Sequence, residues 1–428
     1  MRIRIANGRL IDPANGIDGI RDLYIAEGRI QSIGQAPVGF EPDRVIDARG
    51  QIICPGLVDL SARLREPGEE FKASIASETR AAASAGVTTL CCPPDTRPVI
   101  DTPAVAELIH QRADDAGMAR VVTLGAMTQG LAGECLAEMH ALKSEGCVGI
   151  SNAQSPITNT EVARRAMEYA ATCDLTVMLH AEDPWLRNRG VAHEGPVSTR
   201  LGLPGIPESA ETVAVSRDLL LIEQTGVSAH FCRLSTGRAV DMVADAQRRG
   251  LPVTADVSVY HLHLTDMDVG HYNANCHVRP PLRTERDKQR LRGGLGDGVI
   301  GAVCSDHQPH DEDAKTAPFS ATEPGISSLE VLLPLTLRLV DDGVFDVQTA
   351  LSTLTYKPAR ILGLDVGTLA TGAPADVCIF EPNRNWLLTD VAMQSAGKNS
   401  PFIGWELTGK VTHTLLGGIT VYEETRSV

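Results

Sequence analysis

Eight short β-rich runs, each followed by a helix-forming stretch, limit what this chain can fold into more than any other feature. The runs are GLVDL, GVTTLCC, RVVTLGA, CVGIS, LTVMLH, GVSAHF, LPVTAD and VIGAVCSD. Between them lie stretches such as SIASETRAAASAG, TPAVAELIHQRADDAG, TNTEVARRAMEYAATC and STGRAVDMVADAQRRG. Strands alternating with helices specify parallel βα units. Eight such units close a (β/α)8 barrel, the TIM barrel, of about 250 residues or more. The sequence therefore predicts an α/β fold with a barrel over residues 55–363. Both ends read differently, as short alternating strands with turn signals: ANGRLID, LYIAEGRIQSIG and RVIDARGQII before the barrel, PADVCIFEP, KVTHTLLGG and ITVYEE after it. Residues 1–54 and 364–428 are expected to join in one small β-sandwich domain.

Charge and composition narrow the function classes. The net charge is −15, which argues against a nucleic acid or an anionic membrane surface as partner. No apolar run approaches the roughly 18–20 residues that cross a bilayer, and MRIRIANGRLIDP lacks the pattern of a signal peptide. Ten scattered cysteines without a CxxC motif read as reduced thiols in a cytoplasmic protein. No GxSxG elbow, P-loop or GxGxxG after a strand is present. Ser228 and His230 lie close in sequence but lack a third member for a triad. Residues 195–207, GPVSTRLGLPGIP, read as a long loop over the barrel mouth.

In such a barrel the reactive groups sit at the C-terminal ends of the strands. Those ends read DLSARLREPG, CCPPDTRP, LGAMTQG, GISNAQSP, LHAEDP, AHFCRLST, ADVSVYHLHLTD and VCSDHQPH. Together with the NxxxxVRPPLR segment and the terminal SPFIGWELTGKVTHTLLGG, they resemble the dihydroorotases of the amidohydrolase superfamily. The resemblance spans essentially the whole chain. It implies a TIM barrel with a β-sandwich and, in active members, one or two zinc ions that open or close the dihydroorotate ring. Zinc takes imidazole nitrogen and carboxylate oxygen at about 2.0–2.2 Å and leaves a position for water. It lowers that water's pKa to roughly 7 and so supplies hydroxide.

The family pattern, carried onto this chain, is largely emptied. The HxH after the first strand has become Ser61 and Arg63. The acidic residue or carboxylated lysine after the fourth has become the segment holding Asn152 and Ala153. The strand-6 histidine is Arg233. His180 and Asp306 keep the histidine of strand 5 and the aspartate of strand 8. Arg65 and His310 match substrate contacts, and Asp95 replaces an asparagine. These three are the candidate remnant of a ligand site. Arginine has five donors, no acceptor and a charge that does not titrate. Like unit charges interact by about 4 kcal/mol at 4 Å with an effective dielectric near 20, so Arg63 and Arg233 are expected to repel a divalent cation, and one or both of them to pair with Asp306. No cofactor is expected.

The resemblance thus implies a chain with neither catalytic nor metal-ligating residues. Inactive chains of this kind stand beside aspartate carbamoyltransferase in some bacteria, as non-catalytic subunits that support its assembly. That catalytic chain is the expected partner, within a homo- or hetero-oligomer. Two alternatives stay open: a mono-metal cyclic amidohydrolase using His180, Asp306 and a loop histidine, and a metal-free sensor using the old pocket. His261 and His263, with His271 and His277 nearby, are a second metal candidate, with solvated loop histidines as the default. Asp95 is expected to be a cap or turn residue, and Arg65 a member of an ion pair.

Overall fold

The computed structural model describes residues 1–424; residues 425–428, the end of the segment assigned to the sandwich, lie outside the described residues. Eight parallel strands form the barrel: β1 Leu57–Asp59, β2 Val87–Cys92, β3 Arg120–Ala126, β4 Gly149–Ser151, β5 Thr176–Leu179, β6 Ala229–Phe231, β7 Val253–Ser258 and β8 Ala302–Cys304. Each overlaps one of the eight runs in the sequence. They hydrogen-bond in chain order from β1 to β8. The strands are buried on both faces, as covering helices require, and only their outer ends at Arg120, Thr176 and Thr254 break the buried run.

The seam between β8 and β1 closes beyond the strand ends. His307 donates its N–H to Ser61 O at 3.1 Å, and Arg63 donates to His307 O at 2.9 Å. At the opposite end Thr353 and Leu354 fill the seam, accepting from Val303 and Val58. The barrel is thus stitched shut by the residues on either side of Ala62 and His307, next to the positions singled out above.

Local signals explain the helices. The helix Ile75–Ser84 starts at Ser74, which exchanges hydrogen bonds with Ser77 in a capping box, and it buries Ala81, Ala82 and Ala83. Small side chains let helix and strand approach closely. Gly86 follows at φ +81°, where a Cβ would lie 2.4 Å from Cys378 Sγ; this glycine lets the barrel touch the C-terminal strands. The stretch 195–207 is more ordered than the loop expected. Pro196 opens a helix through Leu201 that ends on left-handed Gly202, and Ala192–His193 pairs with Gly205–Ile206. Pro at the first helical position and Gly just past the last were the local signals for it.

Both ends of the chain build the other two sheets. One holds Arg29–Ile33, Leu23–Ala26, Arg2–Ala6 and Arg44–Asp47 in that order; the other holds Ile419–Glu423, Glu406–Leu416, Val377–Leu387, Ile52–Pro55, Arg9–Asp12 and Ile17–Ile20. The termini interleave where Ile52–Pro55 pairs antiparallel with Val377–Phe380. Ile3, Ile5, Leu10, Leu23, Ile25, Ile53, Val377, Ile379 and Leu415 form a core between them.

Glu78 ties these layers together. Its buried carboxylate accepts from Ser395 Oγ (2.7 Å) and Ala396 N (3.0 Å) and bonds His307 Nε2 (2.6 Å). Glu78→Ala would leave those buried donors without their acceptor, at about 3–5 kcal/mol. Urea unfolding should show that loss as a lower midpoint with unchanged slope; a midpoint within error of the wild type would contradict the role.

Candidate active site and its lost metal position

Asp306 lies just beyond β8, fully buried, and five side chains converge on it. Oδ2 accepts from Tyr260 OH at 2.6 Å and from Gln308 Nε2 at 3.2 Å. Oδ1 accepts from Ser61 Oγ at 3.2 Å and has Arg63 Nη1 and Arg233 Nε each at 3.5 Å. Arg233 Nη1 also donates to Ser61 Oγ at 3.2 Å. Burial, the largest influence, would raise the Asp306 carboxyl, but Arg233, Arg63 and Tyr260 together hold it below the ordinary range. Burial works against the Arg233 charge, yet Asp306 and the acidic groups around it raise its pKa. One or both arginines were expected beside Asp306, and both stand there.

Asp95 is not the cap or turn residue expected from the sequence. Its Oδ2 accepts from Arg63 Nε at 2.9 Å, with Nη2 at the same distance. The CCPPDTRP turn brings it there because β2 neighbours β1. Gly68, at φ +102°, lets the two loops meet; a Cβ would sit 2.2 Å from Arg97 O. Arg65 is engaged within the protein. It donates to Pro309 O (2.9 Å) and Glu69 Oε2 (3.0 Å), and Nη2 lies 3.1 Å from His310 Nε2. His310 Nε2 also lies 3.0 Å from Pro324 O. An arginine only donates and a carbonyl oxygen only accepts, so Nε2 serves one of these two neighbours at a time; Nδ1 lies 3.4 Å from Glu323.

The other candidates take up varied roles. Asn152 accepts from Thr128 Oγ1 at 2.8 Å and donates to Leu131 O and Ser155 O, so it knots the strand-4 loop. Ala153 offers no donor atom. The His180 side chain is 3% exposed, and neither ring nitrogen makes a hydrogen bond; Glu182 Oε2 is 3.8 Å from Nε2. Burial pushes His180 down to about 4 against the opposing effect of Glu182, so the ring is neutral. Glu182 itself is held by Arg279 and Arg187.

The expectation of solvated histidines after β7 holds only for exposed His271. His261 is buried, paired with Ser258 Oγ and Pro281 O (3.2 Å). His263 Nε2 meets Leu335 O at 2.9 Å, and buried His277 meets Thr322 Oγ1 at 2.8 Å. Residues Val259–Leu262 form a tight helical turn that folds these rings inward instead of into solvent, and their nitrogens are spent on separate partners.

Sequence reasoning missed Tyr260 and Gln308, which hold Asp306, and the pair of His230 Nε2 with Asp256 Oδ2 at 2.9 Å. The signal for the pair was the period of two along neighbouring strands, which turns His230 of β6 and Asp256 of β7 to the same face. His230, Cys232 and Asp256 have donor atoms within 4.8 Å of one another. They do not fit a metal. His230 Nδ1 meets Thr254 Oγ1, Asp256 Oδ1 accepts from Arg233 N, and burial pushes the Cys232 thiol well up.

The residues around Asp306 do not fit zinc either. Of the family positions only His180 and Asp306 carry a ligand atom, and the Asp306 oxygens accept three hydrogen bonds and face two guanidiniums at 3.5 Å.

Five buried histidines give the fold a pH signature. Burial holds His180, His261 and His277 at about 4, His263 at about 3 and His310 at about 2, against an ordinary 6.5. Below pH 6.5 the unfolded chain takes up these protons and the folded chain does not. Stability therefore falls as pH drops from about 6.5 toward 4, by up to about 1.4 kcal/mol per pH unit for each group. Asp59, raised by burial to about 6, works in the opposite sense, as do Asp218, Asp266 and Glu330, which burial also raises; Glu182, lowered to about 2, and Asp306, lowered by its arginines, work with the histidines. Urea midpoints should be lower at pH 5 than at pH 7.5; equal midpoints would contradict the buried neutral rings.

Comparison with known proteins agrees with this architecture. Residues 50–239 match the family model described as "Dihydro-orotase-like". The chain is 51% identical over 423 residues to a "Dihydroorotase-like protein" of Pseudomonas aeruginosa (99% of this chain, 100% of that one), and 52% identical to one of Pseudomonas putida (98% of each). It is 42% identical to a protein named dihydroorotase in Geobacter sp. strain M21 (99% and 100%). Among solved structures, the L-hydantoinase of Arthrobacter aurescens superposes with a TM-score of 0.88 at 22% identity, covering 100% of this chain and 97% of that one; this likeness is one of fold. The chain belongs to the dihydroorotase-like family.

Proposed function

We propose that this protein is a non-catalytic dihydroorotase-like subunit of pyrimidine biosynthesis that supports the assembly of aspartate carbamoyltransferase. The observation that carries the non-catalytic reading is the state of Asp306. A metal-activated hydroxide needs this carboxylate free to ligate and to accept a proton. Here Ser61, Arg63, Arg233, Tyr260 and Gln308 already surround it. Two fixed positive charges, Arg63 and Arg233, stand 3.5 Å from it, and apart from Asp306 only His180 of the family positions carries a ligand atom. The relatives named dihydroorotase share the overall sequence. The reading for this chain rests on its own residues. The partner is supported by the family resemblance: a barrel kept without its chemistry is kept for its surface.

Two measurements test the proposal. Protein dialysed against zinc and then desalted should carry far less than one zinc per chain, and should not turn over dihydroorotate or hydantoin-type cyclic amides. Stoichiometric zinc with turnover lost in Asp306→Asn would overturn the non-catalytic reading. Co-expressed with the aspartate carbamoyltransferase of its host, the chain should elute with it as one large particle. Two independent peaks at micromolar concentration would refute the assembly role.

A further inference from the structure

A cleft of about 760 Å³ opens between the loops after β7 and β8 and residues 390–403, which lead into the last strands. That volume lies within the range of about 300–1,000 Å³ typical of small-molecule sites, which favour the boundary between domains. Of the candidate residues above only His310 lines it; Arg65, Asp95 and Asp306 do not. Asn399 fixes its two walls against each other. Its Nδ2 donates to Gln308 O and Gly325 O, each at 3.0 Å, and its Oδ1 accepts from His310 N at 2.8 Å. The cleft is therefore formed before any ligand arrives.

Three groups lining it keep hydrogen-bonding capacity that the protein does not use. Half-buried Lys315, on the helical turn Asp313–Thr316, donates to Ala274 O (3.1 Å) and Glu323 O (2.6 Å). Lys398 donates to Met393 O (2.7 Å) and Ser395 O (2.6 Å). An ammonium has three donors, so each lysine keeps one. Carbonyl oxygens orient these ammoniums but carry no charge to balance them. The carboxylate of Glu323 is turned instead to Lys72, at 2.6 Å. Ser400 is 2% exposed, and its Oγ has no hydrogen-bond partner among the described residues. Buried polar groups are satisfied in about nine cases in ten or more, so an unmet hydroxyl on the wall of a cleft marks a place for a ligand atom. Asp311, Glu312 and Asp390 line the same cleft, and none of them pairs with a cation among the described residues.

We propose that this cleft binds a small molecule through a single carboxylate group, taken up by Lys315, Lys398 and Ser400. The lysines supply charge and one N–H each, and Ser400 supplies a hydroxyl hydrogen; hydrogen bonds to an ionised acceptor are about twice as strong as neutral ones. The three acids of the cleft restrict the ligand. They repel a second negative charge, which excludes phosphates and dicarboxylates, and they attract an amino group. A monocarboxylate and an amino acid share the chemistry that the site recognises. This inference does not rest on the aspartate carbamoyltransferase partner and stands or falls separately from it.

The test is isothermal titration of the full chain with sodium propionate, L-alanine and sodium succinate at equal ionic strength, at about pH 6.5. Propionate or L-alanine should bind saturably, and the stronger of the two tells whether the acids hold an ammonium. Succinate should bind several-fold more weakly. Lys315→Met should abolish the binding heat. Ser400→Ala removes a hydroxyl that bonds nothing in the protein, so it should leave Tm in ligand-free buffer unchanged and weaken binding about tenfold. Raising the pH to about 8.5 should also weaken binding, because burial holds the Lys315 ammonium down at about 7 and the neutral amine offers no charge. Absence of saturable heat with both propionate and L-alanine would overturn the proposal. So would unchanged affinity in Ser400→Ala, or succinate binding as tightly as the better of the two.

Discussion

The mouth of this barrel depends on one buried carboxylate held between two guanidiniums. Asp306 has no access to water, and its charge is stabilised by Arg233 and Arg63 at 3.5 Å and by the hydroxyls of Tyr260 and Ser61. The chain segments that carry these groups come from β1, β6, β7 and β8, so the cluster spans half the barrel. It also sits beside the seam. Ser61 and Arg63 flank Ala62, whose bridge to His307 closes the cylinder. A buried ion pair is weak evidence for stability, since desolvation offsets most of the attraction. Breaking one is another matter, because it leaves a charge uncompensated at several kcal/mol. The cluster therefore acts as a constraint: none of its members can change alone.

That coupling explains the pattern of substitutions. In a zinc site the metal supplies the positive charge that keeps an aspartate ionised at the barrel mouth. With Ser61 and Arg63 at the positions of the first-strand pair, an Asp306 without a cation beside it would face burial without compensation. Arg63 and Arg233 supply that charge from the ends of β1 and β6, and Asp95 balances the half of Arg63 that Asp306 does not reach. Arginine suits the task better than lysine because its charge does not titrate and its five donors spread over several partners.

Much of the fold was legible in the sequence because it is written in period and punctuation. All eight barrel strands fall within or across the β-rich runs, and the strands of both termini fall where the turn signals put them. The stretch 195–207 departs from the expected loop because its Pro, Ser and Gly act as the start and stop of a short helix. In the site, the family pattern laid over the strand ends led to the expectation that one or both of Arg63 and Arg233 pair with Asp306, and both stand beside it. They could not reveal Tyr260, Gln308 or the Arg63–Asp95 pair, because each depends on how a loop returns over the mouth. Nor could they place His261 and His263, whose burial follows from a turn that a strand-period reading of HLH does not contain.

The backbone around the cluster is itself strained. Arg65, Ala153, Arg233 and Asp306 all adopt left-handed conformations, at φ +65°, +48°, +55° and +45°. For residues with a Cβ each such conformation costs on the order of 1–3 kcal/mol and persists only where the surroundings over-determine it. Ala153, Arg233 and Asp306 match metal-ligand positions in the family pattern and Arg65 its substrate arginine, so the strain coincides with the positions that the resemblance assigns to chemistry. Here these positions hold an alanine, two arginines and an aspartate on the loops of the barrel mouth. What holds them is the hydrogen bonding of Asp256 to the Arg233 amide, of Ser151 Oγ to the Ala153 amide and of Asp59 to Ser305. These bonds belong to the scaffold and lie behind the site. The loop conformations at the mouth are thus held by bonds that do not pass through Asp306.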